Sequence, residues 1–286
     1  MAEASLDTMG VLVDTRWLAA RLRDPSAVVL DATLPPVGVA PPVDTHARYL
    51  EQHIPGAVFF DIDELSDHAT DLPHMLPPAD AFSRRMSELG VLDTATIVVY
   101  EQVGVFSAPR AWWMLRSFGA RDVHILDGGL SVWIDAGLPV ESGEVRRAAA
   151  VFSARLDGDA VKALPQVKQM LAHGGQVVDA RSAGRFAGTL PEPRKGIRSG
   201  HMPGSTSVPF TELVEDGRLK SADRLGEVFR TKGLDLDRPI TTTCGSGVTA
   251  AVVLLGLELA GAKQVSLYDG SWAEYASQRD AAIETA

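Results

Sequence analysis

Cys244 is the only cysteine in a chain of 286 residues, and its surroundings suit a nucleophile. It follows a β-branched run, is followed by Gly-Ser-Gly, and precedes an apolar run that begins at Val248. A turn with glycines at 245 and 247 can direct several backbone N–H groups at one point, and a helix after it adds its positive end. This pattern predicts a reactive thiolate, whereas a lone cysteine without such context is more often a small buried hydrophobic residue.

Two arginines are candidates for binding an anionic substrate at the same edge of a sheet. Arg185 and Arg194 follow the predicted strand that ends at Ala180, and open α/β sheets bind ligands at the carboxyl ends of their strands. A guanidinium group binds a carboxylate through two parallel hydrogen bonds. The residues alone leave two interpretations open: solvated loop charges, which are the usual role of arginine, or a clamp for a small anion.

Composition and charge disfavour several classes of function. Lys and Arg number 27 and Asp and Glu 37, a net charge of −10 that repels a phosphate backbone. We therefore expect no nucleic-acid partner. No apolar run is long enough for a membrane span, and residues 1–18 lack the basic start and apolar stretch of a secretory signal, so we expect a cytoplasmic protein with no membrane partner. A single cysteine excludes an intramolecular disulfide and a cysteine-based zinc site.

The chain contains an internal repeat. Asp31 corresponds to Asp179 in similar apolar strands, and His53 corresponds to His201 before Pro-Gly; both pairs are 148 residues apart. An Asp-Gly pair at residue 127 returns at Asp269. We interpret the histidines and the Asp-Gly pairs as structural turns, because no further ligand cluster accompanies the histidines. The repeat predicts two domains of similar fold.

Each half alternates short apolar strands with helical patterns, which predicts an α/β fold of mainly parallel sheets flanked by helices. The predicted domains are 1–140 and 161–286, joined by a linker at 141–160. The predicted strands are 28–32, 57–60, 96–100, 123–126, 177–180, 239–243 and 265–268. The predicted helices are 15–23, 78–89, 108–118, 164–172, 222–232 and 248–259.

The cysteine loop and the repeated landmarks resemble those of a known family. The sequence Cys-Gly-Ser-Gly-Val-Thr-Ala at 244–250, with the duplicated His-(Ile/Met)-Pro-Gly and Asp-Gly-(Gly/Ser) motifs, is similar to the tandem-domain rhodanese sulfurtransferases. It is most similar to the branch that uses 3-mercaptopyruvate, because the thiosulfate branch usually has Arg-Lys where this chain has Gly245 and Ser246. The resemblance covers nearly the whole chain and implies two rhodanese-like domains in tandem.

The resemblance implies sulfur transfer without a cofactor or metal. Cys244 would accept sulfur from 3-mercaptopyruvate and carry a persulfide until a thiol acceptor such as thioredoxin, or cyanide, removes the outer sulfur. Two alternatives remain open: thiosulfate as the donor, and a noncatalytic persulfide carrier in a sulfur relay. Glu101 lies 143 positions before Cys244 at the equivalent strand end, so we expect the first domain to be an inactive copy.

Roles for residues in both halves also follow from the resemblance. Arg185 and Arg194 match arginines that bind substrate in the family. Asp63 and His74 are expected to reach Ser246 and handle protons with it; their alternative roles are a helix N-cap and a loop hydrogen bond. The remaining predicted substrate-binding residues are those of the loop and the helix start: Gly245, Gly247, Val248 and Thr249.

Two positions qualify the resemblance. Phe106 stands where the family often has tyrosine, so a hydrogen bond from that hydroxyl is missing here. The nearest alternative enzyme is a cysteine phosphatase, whose loop needs an arginine six positions after the cysteine to bind phosphate. This chain has Ala250 at that position. Phosphoryl transfer is therefore disfavoured.

Overall fold

The computed structural model describes residues 10–35, 41 and 43–286, and these contain two five-stranded sheets. Residues 1–9, the start of the predicted first domain and half of the segment tested for a secretory signal, lie outside the described residues. Every neighbouring pair of strands within the two sheets is parallel. The predicted α/β fold of mainly parallel sheets is confirmed.

The first sheet is formed by the first half of the chain. Its strands are β1 (Leu12–Val13), β2 (Ala27–Asp31), β3 (Val58–Phe59), β4 (Thr96–Tyr100) and β5 (Asp122–Leu126). Its helices are α1 (Thr15–Ala19), α2 (Thr45–Glu51), α3 (Ala79–Glu88), α4 (Ala108–Ser117) and α5 (Gly129–Asp135). The strand order is β1-β5-β4-β2-β3.

The second half repeats this order as β6-β12-β11-β7-β8 and adds a small antiparallel hairpin of β9 and β10. Its strands are β6 (Val161–Lys162), β7 (Gln176–Asp179), β8 (Thr206–Ser207), β9 (Val214–Glu215), β10 (Arg218–Leu219), β11 (Ile240–Thr243) and β12 (Val265–Tyr268). Its helices are α6 (Leu164–Ala172), α7 (Ala183–Phe186), α8 (Ala222–Thr231), α9 (Val248–Leu259) and α10 (Ser271–Ser277), with a 3₁₀ turn at Phe210–Leu213.

The predicted elements agree with the observed ones to within one residue at each end, except that α1 ends at Ala19 rather than at residue 23. Short elements were not predicted, among them the edge strands β1 and β6 and the helices that follow Asp44 and Gly270. A strand of two residues shows no sequence period, so its position is determined by pairing with its neighbour.

Helices cover both faces of each sheet, as β2 illustrates. Val28 and Leu30 belong to the large core that also contains side chains of α3 and α4. Val29 faces the other way and packs with Leu18 of α1 and Trp133 of α5. Successive strand residues point to opposite faces, so a strand buried on both sides is apolar throughout.

The two halves share one core because α4 packs against α9. Trp112 and Leu115 of α4 lie in the same cluster as Val253 and Leu257 of α9. α9 also contacts α8 and two strands, which explains why it is apolar around its whole circumference. Neither α9 nor any other helix in the described part of the chain has the length and apolarity to cross a bilayer.

The predicted linker at 141–160 lies along the first half. The Phe152 ring packs edge-on against Phe82, with 5.6 Å between ring centroids. The Phe152 N–H donates to Ser87 Oγ, and the Asp157 N–H donates to the Ser117 carbonyl. This segment is therefore anchored to α3 and α4, while the domain bounds at 140 and 161 stay a prediction.

Candidate active site

Cys244 directly follows β11, at the carboxyl end of that strand, and α9 begins four residues later. The turn after β12 holds its backbone: the Cys244 N–H donates to Ser271 Oγ at 3.3 Å, and the Cys244 carbonyl accepts from the Trp272 N–H at 2.9 Å. The residue is only 2 % exposed. Any reaction at this thiol would therefore require the reacting atom to approach a nearly buried sulfur.

Both glycines of the loop lie close to arginine side chains. Gly247 has φ +82°, and a Cβ there would lie 2.8 Å from Arg110 Nη1 and 3.3 Å from Asp269 Oδ1. A Cβ at Gly245 would lie 2.8 Å from Arg185 Nη2. Glycine thus permits the turn at 247 and lets a guanidinium group approach the loop from each side.

The N–H groups of residues 245–248 donate to no protein acceptor in the part of the chain that the structure describes. They lie at the start of α9, which has 12 residues. Unpaired N–H groups and the helix dipole favour negative charge at such an end. The loop is therefore suited to stabilise an anionic sulfur attached to Cys244.

Glu101 shows how the equivalent loop of the first half is used. Its carboxylate accepts hydrogen bonds from the N–H groups of Phe106 at 2.7 Å and of Ser107 and Ala108 at 3.1 Å. The Leu130 N–H donates to the Glu101 carbonyl at 2.9 Å, as the N–H after β12 does to the cysteine. A carboxylate from the chain itself thus occupies the anion position of the first half, which supports its interpretation as the inactive copy.

Burial raises the pKa of Glu101 from 4.5 to about 7, against the opposing effect of the hydrogen bonds from Phe106, Ser107 and Ala108. Between these two values the folded protein binds more protons than the unfolded chain, so the stability that this group contributes falls as pH rises. A shift of this size corresponds to about 3 kcal/mol. Above pH 7 the cost of holding the charge is fully present.

We therefore expect the free energy of unfolding of the wild type to fall, relative to that of Glu101→Gln, by up to about 3 kcal/mol between pH 5 and pH 8. Glutamine keeps one acceptor oxygen but does not titrate, so the slope with pH is the informative quantity. Urea unfolding at both pH values measures it, with the exposed Glu51→Gln as control. A parallel pH dependence of wild type and Glu101→Gln would contradict the assignment.

Ser246, His74 and Asp63 come together from the two halves. His74 Nδ1 lies 2.9 Å from Ser246 Oγ, and His74 Nε2 lies 3.0 Å from Asp63 Oδ1. No helix begins at Asp63, and it is the Asp61 side chain that accepts from nearby N–H groups, so the N-cap alternative is not supported. The hydrogen bond from His74 lowers the pKa of Asp63, which keeps that carboxylate charged. The predicted proton-handling role of the three stays a prediction.

Arg185 lies against the cysteine loop but is already paired. Its guanidinium contacts Glu192, with Nη2 2.5 Å from Oε2 and Nε 3.2 Å from Oε1. Glu192 also pairs with the buried Arg181, at 2.7 Å. The sequence did not predict Glu192 as part of the site, since a single acidic residue in a loop carries no distinguishing pattern.

Arg194 is half-buried and differs from Arg185 in its partners. No side chain or carbonyl among the described residues forms an ion pair or hydrogen bond with its guanidinium group. Burial lowers its pKa, and the negative charges of Cys244 and Asp63 oppose that effect. Its positive charge therefore lies within electrostatic reach of the cysteine and is available to an anionic substrate.

Several other predicted residues have been located. Val248 and Thr249 form the first turn of α9, next to the cysteine loop. Phe106 lies near Phe210, with 6.0 Å between ring centroids. The repeated histidines bond to backbone carbonyls: His53 Nδ1 lies 2.8 Å from the Tyr49 carbonyl, and the second histidine makes an equivalent contact in its own half.

A cleft of about 770 Å³ lies elsewhere, at the ends of α4 and α9 and the starts of β11 and β12. Trp113, Arg116 and Glu258 are among its lining residues, and Cys244 is not. This is the edge of the sheet opposite to the cysteine loop. The cleft is therefore separate from the chemistry described above.

Comparisons with known proteins agree with the two-domain fold. The family model of the rhodanese-like domain matches residues 14–136 and 163–278. The chain is 45% identical over 275 residues to a 3-mercaptopyruvate sulfurtransferase of Escherichia coli, covering 95% of this chain and 97% of that protein. It is 41% identical to a thiosulfate sulfurtransferase of Gallus gallus, covering 92% of each. The crystal structure of SseA from Escherichia coli superposes with a TM-score of 0.86, at 43% identity, over 92% of this chain and 99% of that one.

Proposed function

The chain belongs to the rhodanese family, with two rhodanese-like domains in tandem, and on that premise we propose that it transfers sulfur from 3-mercaptopyruvate through a persulfide on Cys244. The prediction of a sulfurtransferase is confirmed by relatives that carry this name over nearly its full length. The acceptors that we propose are thiols, such as that of thioredoxin, and cyanide.

One observation carries the proposal. In the first half, backbone N–H groups of the loop bind the Glu101 carboxylate; in the equivalent loop of the second half, the backbone N–H groups are free, within the part of the chain that the structure describes, to bind a sulfur anion on Cys244. Glu101 accepts three backbone N–H groups there. Cys244 stands at the equivalent strand end, where the N–H groups of 245–248 have no protein acceptor among the described residues. Preorganised N–H groups stabilise negative charge without rearranging.

The reaction has two steps. The Cys244 thiolate attacks the sulfur of 3-mercaptopyruvate, forming the S–S bond of the persulfide while the C–S bond breaks and its electron pair leaves with pyruvate as the enolate. An acceptor thiolate, or cyanide, then attacks the outer sulfur, and the electron pair of the S–S bond returns to Cys244. The loop amides favour the anionic sulfur in both steps.

We assign the leaving enolate to Ser246 and His74. The Ser246 hydroxyl lies 2.9 Å from His74 Nδ1, and His74 Nε2 lies 3.0 Å from Asp63 Oδ1. In the proposed step the hydroxyl turns its single proton from His74 to the oxygen on which charge develops. Arg194 supplies a positive charge for the carboxylate of the donor. A free thiol as the reacting group fits a reducing compartment, and the cytoplasm is our proposal for it.

A donor panel tests the proposed function. The wild type is mixed with 3-mercaptopyruvate, with thiosulfate, or with a persulfide-loaded protein, and cyanide is the acceptor in each case. We expect many turnovers of pyruvate release with 3-mercaptopyruvate, slower turnover with thiosulfate, and one added sulfur on the peptide that contains Cys244. Thiocyanate formation compares turnover with all three donors, pyruvate detection follows 3-mercaptopyruvate, and mass spectrometry measures the added sulfur.

Other results of the panel would contradict the proposal in distinct ways. Faster turnover with thiosulfate would identify a thiosulfate sulfurtransferase. Transfer only from the protein donor would identify a persulfide carrier in a relay. No transfer from any donor would reject sulfur transfer by this chain.

A further inference from the structure

Arg110 is a fully buried cation that the reaction described above does not use. It lies in the first turn of α4, and its side chain is 0% exposed. Its Nη1 lies 2.8 Å from Asp269 Oδ1, at the end of β12 in the other half, and its guanidinium lies 4.6 Å from the Trp113 ring centroid. A buried ion pair is costly to desolvate and adds little to stability. Stability alone therefore does not explain why Arg110 and Asp269 are buried together.

The pair contacts two of the segments that carry the proton-handling residues, the one with His74 and the loop with Ser246. Arg110 Nη2 donates to the His74 carbonyl, and Nη1 donates to the Gly247 carbonyl at 3.5 Å. Asp269 Oδ2 accepts the Leu76 N–H at 2.7 Å. The segment that carries His74 is therefore bound at two points, and the cysteine loop at a third, by one ion pair that crosses the domain interface.

These contacts of Arg110 and Asp269 restrain the backbone at His74, which has an uncommon conformation. His74 has φ +60°, a left-handed conformation that residues with a Cβ adopt uncommonly. That conformation directs the imidazole to Ser246 Oγ, 2.9 Å away. The hydrogen bonds at the His74 carbonyl and the Leu76 N–H hold the backbone that directly follows the His74 Cα.

We propose that Arg110 and Asp269 are positioning residues that hold His74 against Ser246 across the domain interface. The inference rests on the proposed function, because it assigns the pair a role in the step in which Ser246 and His74 stabilise the leaving enolate. The planar, forked guanidinium group matters here. Its Nη1 contacts both the Asp269 carboxylate and the Gly247 carbonyl, and its Nη2 donates to the His74 carbonyl. Lysine would keep the charge but not the fork.

The test uses Arg110→Lys, which leaves a positive charge beside Asp269 and so avoids an unpaired buried carboxylate. We expect kcat with 3-mercaptopyruvate to fall about 10- to 100-fold with little change in KM. The matched control is Arg116→Lys on the same helix, whose partner Glu258, 2.7 Å away, also belongs to the other half but is distant from His74. It should leave kcat unchanged.

A double-mutant cycle separates positioning from general destabilisation. If Arg110 acts through His74, then His74→Gln lowers kcat far less in the Arg110→Lys background than in the wild type. Effects that multiply independently in the two backgrounds would overturn the proposal. Asp269→Asn, which keeps an acceptor for the Leu76 N–H, should show the same dependence on His74.

A readout without sulfur chemistry keeps this inference distinct from the proposed function. Imidazole nitrogen resonances in NMR spectra report whether His74 Nδ1 is hydrogen-bonded. We expect the His74 signal to change in Arg110→Lys and not in Arg116→Lys; an unchanged signal in Arg110→Lys would overturn the inference. Failure of the wild type in the donor panel would instead reject the function and leave the spectroscopic result standing.

Discussion

Cys244→Ser is expected to abolish sulfur transfer from every donor, with a fall in kcat of at least about a thousandfold. A serine hydroxyl cannot form the S–S bond of a persulfide, so the covalent route is lost rather than slowed. Enzyme treated with 3-mercaptopyruvate and digested should carry one added sulfur on the wild-type peptide and none on the variant peptide. Pyruvate release and peptide mass measure the two effects.

Serine is close to cysteine in size, and the contacts that fix residue 244 are made by its backbone. The variant should therefore keep the thermal midpoint of the wild type, which serves as the folding control. Ser246→Ala provides a comparison at the same loop, where we expect slower loading and slower turnover, but still one added sulfur on Cys244. Continued product formation by Cys244→Ser, or product accumulation while wild-type Cys244 stays unmodified, would contradict the persulfide intermediate.

Arg194→Ala is expected to raise KM for 3-mercaptopyruvate about 10- to 100-fold, as the loss of a charge-assisted hydrogen bond to a carboxylate would cause. Arg185→Ala should have a smaller effect, because the charge of Arg185 is already offset by Glu192. Neither variant should raise KM for thiosulfate as much, since thiosulfate has no carboxylate. Steady-state kinetics with both donors measure the difference.

The neighbouring Lys195 gives a matched control, because it is an exposed positive charge on the same loop. Lys195→Ala should change KM for either donor by less than about twofold. Equal increases in KM for both donors in Arg194→Ala would show a general electrostatic effect and not a carboxylate contact. A larger effect of Arg185→Ala would mean that its pairing with Glu192 is broken when the donor binds.

Much of the cysteine loop was predictable because its determinants are adjacent in sequence. A β-branched strand, two spaced glycines and an apolar helix predicted the order of elements around Cys244, and the bounds of α9 at 248–259 are those observed. The repeat likewise predicted two similar domains, and the equivalence of Glu101 with the cysteine follows from counting residues. Local patterns of this kind depend on the period of each element and need no knowledge of packing.

The proton-handling group was expected only from the family resemblance. Ser246 and His74 are separated by 172 residues and meet across the domain interface. No spacing in the sequence indicates such a contact, because it depends on how α4 packs against α9. The alternative role of Asp63 as an N-cap was equally compatible with the local sequence, and the absence of a helix at that point decided against it.

By itself the sequence determined the fold class and the repeated domains, since local order marks both. It also predicted Cys244 as the nucleophile from its residue type and the loop around it, while the two candidate arginines were favoured through the family resemblance. Only the tertiary structure decided that Arg185 is paired with Glu192 while Arg194 is left without a partner among the described residues. The tertiary structure also decided that Arg110 pairs with Asp269. From the sequence, Asp269 was expected only to form part of a structural turn. The physical reason is that a side chain's charge takes effect through its neighbours, and chain folding brings those neighbours from distant positions.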